Sequence, residues 1–203
     1  MAERVTGKTY EELMQAIVFG PLQMKSAGFS EAPGADAPWG HSLPDGKPTP
    51  HHNLSVMAAT GSTMCCSLAD WGKFISDHLR GAAGKPALLQ PESYARLHSA
   101  PFGGTYALGW MTGNASWAGG DVLEHGGSDA FNLAFVSIAP ARDIAVLTVC
   151  NAVSPEAFKA REEVGRQLMA WASISNWTPG TGGEVKQLNA PSSQTPTAPK
   201  RLN

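Results

Sequence analysis

The sequence predicts an α/β protein of the α+β type, in which an antiparallel sheet is flanked by helices. Three segments begin with helix-capping residues and continue with apolar residues at helical spacing, at residues 9–20, 67–81 and 154–171. Two later segments, residues 131–138 and 144–150, are apolar on both alternating faces. That pattern is typical of strands that are covered on both sides, and the helices are the elements available to cover them.

The first helix begins at a capping box. Thr9 can accept a hydrogen bond from the backbone of Glu12, whose side chain can bond back to residue 9. The apolar residues that follow at helical spacing are Leu13, Ile17 and Val18. The Gly20-Pro21 pair predicts the end of this helix, because proline lacks an N–H and disfavours a helical residue before it.

Two further helices are predicted in the middle of the chain. Ser67 and Asp70 form a second capping box, and Gly81 is predicted to stop the helix that this box opens. The apolar face of this helix comprises Leu68, Trp71, Phe74, Ile75 and Leu79. Pro91 begins a shorter helix that covers residues 92–98.

The last helix has a well-defined start. Ser154 is its predicted N-cap, and Pro155 occupies the first helical position, where proline is favoured. The predicted buried face repeats in steps of three and four residues: Ala157, Ala160, Val164, Leu168 and Trp171.

The β part of the sequence extends from Tyr106 to Cys150. Residues 106–111 and 122–125 predict two short strands that precede the two long apolar ones. The Pro140-Ala141-Arg142-Asp143 segment predicts a short turn between the long strands. A turn of this length joins neighbouring strands, so the two should form an antiparallel hairpin.

Two regions lack the periodicity of helices and strands. Residues 29–53 are rich in Gly, Pro, His and Asp and predict a long, irregular surface loop. After Trp177 the composition shifts to Thr, Pro, Gly, Ser and Gln, which predicts a disordered tail. The chain therefore divides into a domain at residues 1–177 and a tail at residues 178–203.

Charge and composition exclude several classes of partner. Fifteen basic and seventeen acidic residues give a net charge of −2, and no basic cluster occurs, so there is no electrostatic case for binding nucleic acid or an anionic membrane. No apolar run approaches the roughly 20 residues that span a bilayer, and the first residues contain no signal-peptide core. The three cysteines, two of them adjacent, predict no disulfide framework.

Hydrolytic acyl transfer requires a nucleophile, a base and donors for an oxyanion. The chain contains no Ser-x-x-Lys, no Tyr-x-Asn and no Gly-x-Ser-x-Gly sequence. It does contain a strand that runs through Glu124 and His125 into Gly126, Gly127 and Ser128. Glycines at a strand end let a ligand approach the backbone closely, although such a pair is more often an ordinary turn.

Two other groups of residues could carry chemistry. Cys65 and Cys66 precede a helix N-terminus, where a thiolate is stabilised, but small buried cysteines are the favoured interpretation. His41, His51 and His52 could ligate a metal, but they lack a recognised spacing, and a solvated loop is favoured. We therefore predict neither a metal site nor a cofactor.

Five segments together carry a family resemblance. The fifth segment is the His125-Gly126-Gly127 sequence, and four others precede it: residues 3–13, residues 19–29 (similar to "PLGM…TGF"), residues 59–63 leading into 67–70, and residues 106–110 (like "YGLGW"). Their order and spacing resemble those of the C-terminal portion of β-lactamase-related serine hydrolases, a family of class C β-lactamases, penicillin-binding proteins and esterases. The resemblance extends from residue 3 to about residue 175.

The resemblance implies a partial β-lactamase/DD-peptidase fold and roles for four residues. His125 matches the third catalytic motif, which is Lys-Thr-Gly in many members and His-Gly-Gly or His-Ser-Gly in esterase and peptidase branches. Gly126 and Gly127 would line the cleft, and the backbone N–H of Ser128 would form half of the oxyanion hole. The family's Ser-x-x-Lys and Tyr-x-Asn are expected upstream of residue 1. The family further implies a periplasmic or secreted protein.

The expected function is that of a fragment of an acyl-transfer enzyme, inactive alone, that acts on an ester, a peptide or a β-lactam. Histidine at position 125 favours the esterase or peptidase branch, because neutral imidazole is a weaker partner than lysine for a β-lactam carboxylate. The missing N-terminal segment, or a complementing chain, would be the partner, and would pair with the strand at residues 144–150. The alternatives are a non-catalytic module that binds a ligand or partner, and one half of a split enzyme.

Overall fold

The structure, a computed structural model, describes residues 1–29, 38–43, 49–51 and 64–174. The helices are α1 (Ala2–Thr6), α2 (Tyr10–Met14), α3 (Leu68–Ala82), α4 (Pro91–Leu97) and α5 (Pro155–Ile174). The strands are β1 (Gly40–Ser42), β2 (Thr49–His51), β3 (Met111–Ala115), β4 (Gly120–Ser128), β5 (Leu133–Ala139), β6 (Ile144–Cys150) and β7 (Ala152–Val153). The predicted tail and the resemblance at residues 59–63 lie outside the described residues.

Four strands form an antiparallel sheet in the order β3-β4-β5-β6, which confirms the predicted fold class. The predicted hairpin is present, because β5 and β6 pair from Ala139 opposite Ile144 to Leu133 opposite Cys150. A 3₁₀ turn at Pro140–Arg142 joins them, and Asp143 closes it with a φ of 54°. A smaller sheet, in the order β2-β1-β7, occupies part of the region that the sequence predicts as an irregular loop.

The main core lies between α3 and one face of the four-stranded sheet. Ile75 and Leu79 of α3 pack against buried residues of β4 and β5, namely Leu123, Val136 and Ile138. Ala107 and Trp110 join this cluster from the segment that precedes β3. The face predicted for α3 holds this helix on the sheet through Trp71, Phe74, Ile75 and Leu79. The prediction is wrong for Leu68, which is 48% exposed at the first turn.

The opposite face of the sheet is covered by α5, which contacts β6. The guanidinium of Arg161 lies 4.5 Å above the ring centre of Phe135, a cation–π contact between α5 and β5. The buried positions of α5 are Ala157, Gly165 and Ala172. Small residues at this spacing let the helix lie close to the sheet.

The predicted buried face of α5 is therefore wrong at three of its five positions, whereas Ala157 is buried and Leu168 is half-buried. Val164 and Trp171 are 52% and 59% exposed, and Ala160 is also exposed. The sequence prediction placed bulky apolar residues inside, whereas the sheet selects the neighbouring stripe of small ones. The start of the helix is as predicted, since the Ser154 hydroxyl accepts a hydrogen bond of 3.1 Å from the N–H of Ala157.

Helix α2 begins with the predicted capping box. The N–H of Glu12 donates to Thr9 Oγ1 over 3.2 Å, and the N–H of Thr9 donates to Glu12 Oε2 over 2.8 Å. The helix continues as a π-helical turn, Gln15–Phe19, and ends next to the predicted Gly20-Pro21 pair. The end of this helix is thus confirmed.

Only half of the second capping box forms. The Ser67 hydroxyl accepts from the N–H of Asp70 over 3.2 Å, but the Asp70 carboxylate turns to Ser26 and Lys73 instead. These hydrogen bonds, that of Lys73 first, lower the pKa of Asp70 to about 2. They tie the segment before residue 29 to the start of α3.

Gly81 does not stop α3. The helix runs through Gly81 to Ala82, and the ring of Tyr94 from α4 fills the space where a side chain of residue 81 would lie. The glycine allows two helices to touch, a requirement that the local sequence does not display. Helix α4 itself occurs where it is predicted, as Pro91–Leu97.

The strand predicted at residues 106–111 is also wrong. Tyr106 forms only an isolated bridge to Met111, and the chain turns between them at Gly109, whose φ is 92°. The N–H of Ala107 donates to the carbonyl of Trp110 over 2.7 Å across this turn. The strand begins where the prediction ends, at Met111, because only there does the chain reach β4.

Candidate active site

The four residues singled out by the sequence lie together at the C-terminal end of β4, and all are exposed. The strand predicted at residues 122–125 extends three residues further than expected. Gly126, Gly127 and Ser128 pair with Phe135, Ala134 and Leu133 of β5, so the glycines lie within the strand and not in a turn after it. His125 and the glycines are thus held on a hydrogen-bonded frame.

This end of β4 is paired along one edge. In the part of the chain that the structure describes, β3 pairs with β4 only as far as Met111 opposite Glu124. Residues 125–128 pair with β5 on the other side. Backbone on an unpaired strand edge can hydrogen-bond an extended ligand, as in strand addition to a sheet.

The faces of β4 are assigned by its cross-strand partners, which share a face in an antiparallel pair. His125 lies opposite Val136, a core residue that packs with α3, so the imidazole is on the α3 side of the sheet. Gly127, two residues on, belongs to the same face. A Cβ on Gly127 would have no atom within 4 Å, so there is open space beside His125.

Gly126 belongs to the opposite face and has a different environment. A Cβ placed on it would lie 3.4 Å from Cδ2 of Phe135, the ring that carries the Arg161 guanidinium. Neither Gly126 nor Gly127 has a positive φ. A methyl group at residue 126 would thus make van der Waals contact with Phe135, whereas one at residue 127 would stand in open space.

The turn after Ser128 is bonded internally. The Ser128 hydroxyl accepts from the N–H of Ala130 over 3.1 Å, and Ala130 has a φ of 75°. The Asp129 carboxylate accepts from the N–H groups of Phe131 and Asn132 over 2.9 and 2.6 Å. This network fixes the end of β4. Because the Ser128 hydroxyl is bonded within the turn, the group of Ser128 that concerns the site is its backbone N–H.

Tyr106 is the residue of this site that the sequence did not single out. Its hydroxyl lies 3.1 Å from Nε2 of His125, and the two ring centres are 6.3 Å apart. Tyr106 is the first residue of the Tyr106-to-Trp110 segment that carries part of the family resemblance. That segment was the sequence feature from which its place in the site could have been predicted. Its proximity to His125 depends on the turn at Gly109, which the sequence prediction replaced with a strand.

The remaining candidates have structural contacts. The half-buried carboxylate of Glu124 accepts a 2.7 Å hydrogen bond from the buried Ser137 hydroxyl. Burial, and then the Asp70 carboxylate, raise the pKa of the Cys66 thiol, which disfavours the nucleophilic thiolate. His41 Nδ1 lies 2.9 Å from the carbonyl oxygen of Asn151. The described residues include no cluster of three metal-binding side chains.

A pair of histidines, of which His78 is buried and His98 half-buried, contacts Trp110 in the turn that carries Tyr106. His78 Nδ1 and His98 Nε2 are 2.9 Å apart, and the rings of both contact Trp110, with centroid distances of 5.0 and 6.5 Å. Burial, and then the neighbouring His98, lower the pKa of His78 to about 4, against a smaller opposing effect of Asp77. His78 is therefore neutral at pH 7 and belongs to the core.

An antiparallel four-stranded sheet flanked by helices is the architecture of the β-lactamase and DD-peptidase folds. The family model described as Beta-lactamase matches residues 1–169. The chain belongs to this family. A search of curated proteins found no match.

Solved structures agree with this assignment. A penicillin-binding protein homologue from Pyrococcus abyssi is 20% identical with a TM-score of 0.67, over 82% of this chain and 39% of that protein. A D-stereospecific amidohydrolase from Streptomyces sp. is 20% identical with a TM-score of 0.58, over 78% and 50%. A class C β-lactamase is 15% identical with a TM-score of 0.60, over 87% and 54%.

At these identities the likeness establishes the fold. The chain spans about half or less of the length of these proteins, at 39%, 50% and 54%. No helix among the described residues is long and apolar enough to cross a membrane.

Proposed function

We propose that this chain supplies the third catalytic motif and half of the oxyanion hole of a serine hydrolase. His125 would face the substrate and the nucleophile's base, Gly126 and Gly127 would line the cleft, and the N–H of Ser128 would stabilise the oxyanion. The observation that carries this proposal is the open space at Gly127 on the same face as the exposed His125. An acyl group needs such access to backbone donors.

The nucleophile and its base would come from polypeptide outside these 203 residues, since the chain contains neither Ser-x-x-Lys nor Tyr-x-Asn. Two exposed apolar surfaces support this part of the proposal. Val149 on the edge strand β6 is 53% exposed, and Val164 and Trp171 on α5 are exposed to a similar degree. Among the described strands β6 is at the edge of its sheet, and both an edge strand and exposed apolar helix residues are surfaces that another segment can cover.

The first experiment asks where the nucleophile resides. Purified alone, the chain should not be labelled by a fluorescent phosphonate or by a fluorescent penicillin. A longer polypeptide that adds the residues encoded in frame upstream of Met1, or a separately encoded upstream half mixed with this chain, should be labelled at a serine of the added part. Stoichiometric labelling of a residue within these 203 residues would contradict the proposal.

The substrate proposed is an ester or a peptide amide, and not a β-lactam. A neutral imidazole at position 125 offers less attraction for the carboxylate of a β-lactam than a lysine would. In the reconstituted, unlabelled hydrolase, His125→Lys should raise the kcat/KM for a cephalosporin relative to that for a p-nitrophenyl ester by about tenfold, the value of one charge-assisted hydrogen bond. An unchanged ratio would remove the basis for this choice.

A non-catalytic role makes a different prediction for the chain alone. A module that binds a ligand or partner by itself would be monodisperse and melt cooperatively without a complementing polypeptide. Size-exclusion chromatography and calorimetry on the purified chain distinguish the two functions. Self-association that the upstream polypeptide relieves supports the hydrolase.

A further inference from the structure

We propose that Tyr106 is the positioning residue of His125: its hydroxyl donates a hydrogen bond to Nε2 and thereby holds the imidazole as the Nδ1–H tautomer. The inference rests on the proposed function for its role in hydrolysis, but the hydrogen bond itself does not. The Oη to Nε2 distance is 3.1 Å, within the range of such bonds.

Both side chains are exposed, Tyr106 by 53%, so water competes for each of them. A hydrogen bond between two mobile side chains in water contributes little. The contact can persist only if the backbone brings the two groups together at no further entropic cost.

The backbone meets that condition. Met111 lies opposite Tyr106 in an isolated bridge and opposite Glu124 in the β3–β4 register, so the backbone of Tyr106 is one chain away from the residue that precedes His125. The Tyr106 hydroxyl reaches His125 past the point where β3 stops pairing with β4. The N–H of Thr112 donates to the carbonyl of Thr105 over 2.7 Å, beside the bond between Ala107 and Trp110.

The turn that carries Tyr106 is also anchored from below. Ala107 and Trp110 are 4% and 6% exposed, and both belong to the core cluster that contains Val136, the cross-strand partner of His125. Tyr106 and His125 thus project from two elements that share one core. The packing of that core restricts how far apart the two side chains can lie.

The direction of the hydrogen bond follows from the chemistry of the two groups. A neutral imidazole carries one proton, and the nitrogen without it is a good acceptor. The phenol hydroxyl is a better donor than its oxygen is an acceptor, so Tyr106 donates and the proton resides on Nδ1. The bond made by one ring nitrogen selects the tautomer, which leaves a defined donor on the other.

The test uses the full chain and a readout that does not depend on hydrolysis. Long-range ¹H–¹⁵N correlation spectra at a pH where the ring is neutral report which nitrogen of His125 carries the proton, and the loss of signals in His125→Asn assigns them. In the native chain Nε2 should resonate as an acceptor nitrogen. In Tyr106→Phe, which keeps the ring and loses the hydroxyl, the population should move toward the Nε2–H tautomer.

The matched control is Tyr10→Phe, the same chemical change on α2, where the ring contacts Phe29 and not His125. It should leave the His125 signals unchanged. Native spectra with the proton on Nε2, or tautomer populations unaffected by Tyr106→Phe, would overturn the inference even if the hydrolase is later reconstituted. Conversely, a failed reconstitution contradicts the proposed function and leaves the tautomer result standing.

The kinetic consequence is measured in the reconstituted hydrolase. Tyr106→Phe should lower kcat/KM for an ester by about fivefold, the value of one neutral hydrogen bond, while Tyr10→Phe should not change it. Misfolding would lower the fraction of enzyme that is labelled and leave the rate per labelled molecule unchanged. Thermal melts of both variants and a comparison of their labelling stoichiometry therefore distinguish misfolding from a true fall in kcat/KM.

Discussion

Gly81 of α3 lies so close to Tyr94 of α4 that a Cβ on residue 81 would be 2.3 Å from the ring carbons. Tyr94 is 1% exposed, and its hydroxyl donates to the buried Asp77 carboxylate, so the ring cannot withdraw. The contact joins the two helices that lie behind Trp110 and the Tyr106 turn.

Gly81→Ala should therefore destabilise the protein, although alanine is the better helix former. The helix propensity gain is up to about 1 kcal/mol, whereas forcing a methyl group into a packed contact costs about 1–3 kcal/mol, and here it meets a ring held in place. Urea unfolding monitored by circular dichroism measures the difference.

Gly72 provides the control for that experiment. It lies in the same helix, and a Cβ on it would have no atom within 4 Å. Gly72→Ala should stabilise the protein by about 0.5–1 kcal/mol. Equal effects of the two substitutions would mean that the contact with Tyr94 is not formed in solution.

The two glycines of the candidate site should respond differently to alanine. Gly127→Ala adds a methyl group to open space, so the free energy of unfolding should stay within about 0.5 kcal/mol of the native value. In the reconstituted hydrolase the same methyl group would stand where the substrate approaches, and kcat/KM for an ester should fall at least tenfold.

Gly126→Ala should have the smaller effect on activity. Its methyl group would lie 3.4 Å from the Phe135 ring, at the short limit of ordinary van der Waals contact and on the face away from the open space at Gly127. The loss of stability should therefore be about 0.5 kcal/mol or less, and activity should fall less than in Gly127→Ala. Chemical denaturation and ester hydrolysis, measured on both variants, separate the packing role from the access role. Equal losses of activity without any difference in stability would contradict this assignment.

The pair of His78 and His98 predicts a pH dependence of the free energy of unfolding. The folded chain holds the pKa of His78 near 4, below its ordinary value of 6.5, so unfolding takes up a proton between these values. This contribution to stability is present above pH 6.5 and is lost as the pH falls toward 4. The difference between the folded and unfolded pKa values limits this loss of unfolding free energy to about 3 kcal/mol. His98, whose pKa burial also lowers, adds to the same trend.

His78→Gln removes the titrating group and supplies the comparison. Unfolding free energies at pH 7, 5.5 and 4.5 should fall less steeply for the variant than for the native chain, whatever its starting stability. Parallel pH profiles would show that His78 is protonated as readily in the folded chain as in the unfolded one.

The exposed apolar residues of α5 predict how the isolated chain associates. Trp171→Glu should leave the unfolding free energy nearly unchanged, because Trp171 is 59% exposed, and should reduce self-association in light scattering. In the mixture with the upstream polypeptide the same change should weaken complementation. Phe102→Glu, at a 97% exposed residue far from α5 in sequence, is the control for added charge alone. The surface has no docking role if the two variants behave alike.

Local sequence patterns were sufficient for the features that depend on neighbours along the chain. The capping box at Thr9, the N-cap at Ser154 and the β5–β6 hairpin were predicted because hydrogen bonds within four residues and a short turn determine them. The His125-to-Ser128 segment was found for the same reason, since its residue types are contiguous.

Contacts between distant segments decided the rest. From the sequence alone Gly81 is predicted to stop α3, whereas the structure shows that it makes room for Tyr94. Val164 and Trp171 are predicted to be buried, whereas the sheet packs against the small residues of α5 and leaves them exposed. Tyr106 gains its place beside His125 only through a turn whose anchors, Ala107 and Trp110, are buried by α3 and the sheet. Propensity and periodicity describe one element at a time, whereas the choice of which face is buried and which side chains meet depends on the shape of the partner element.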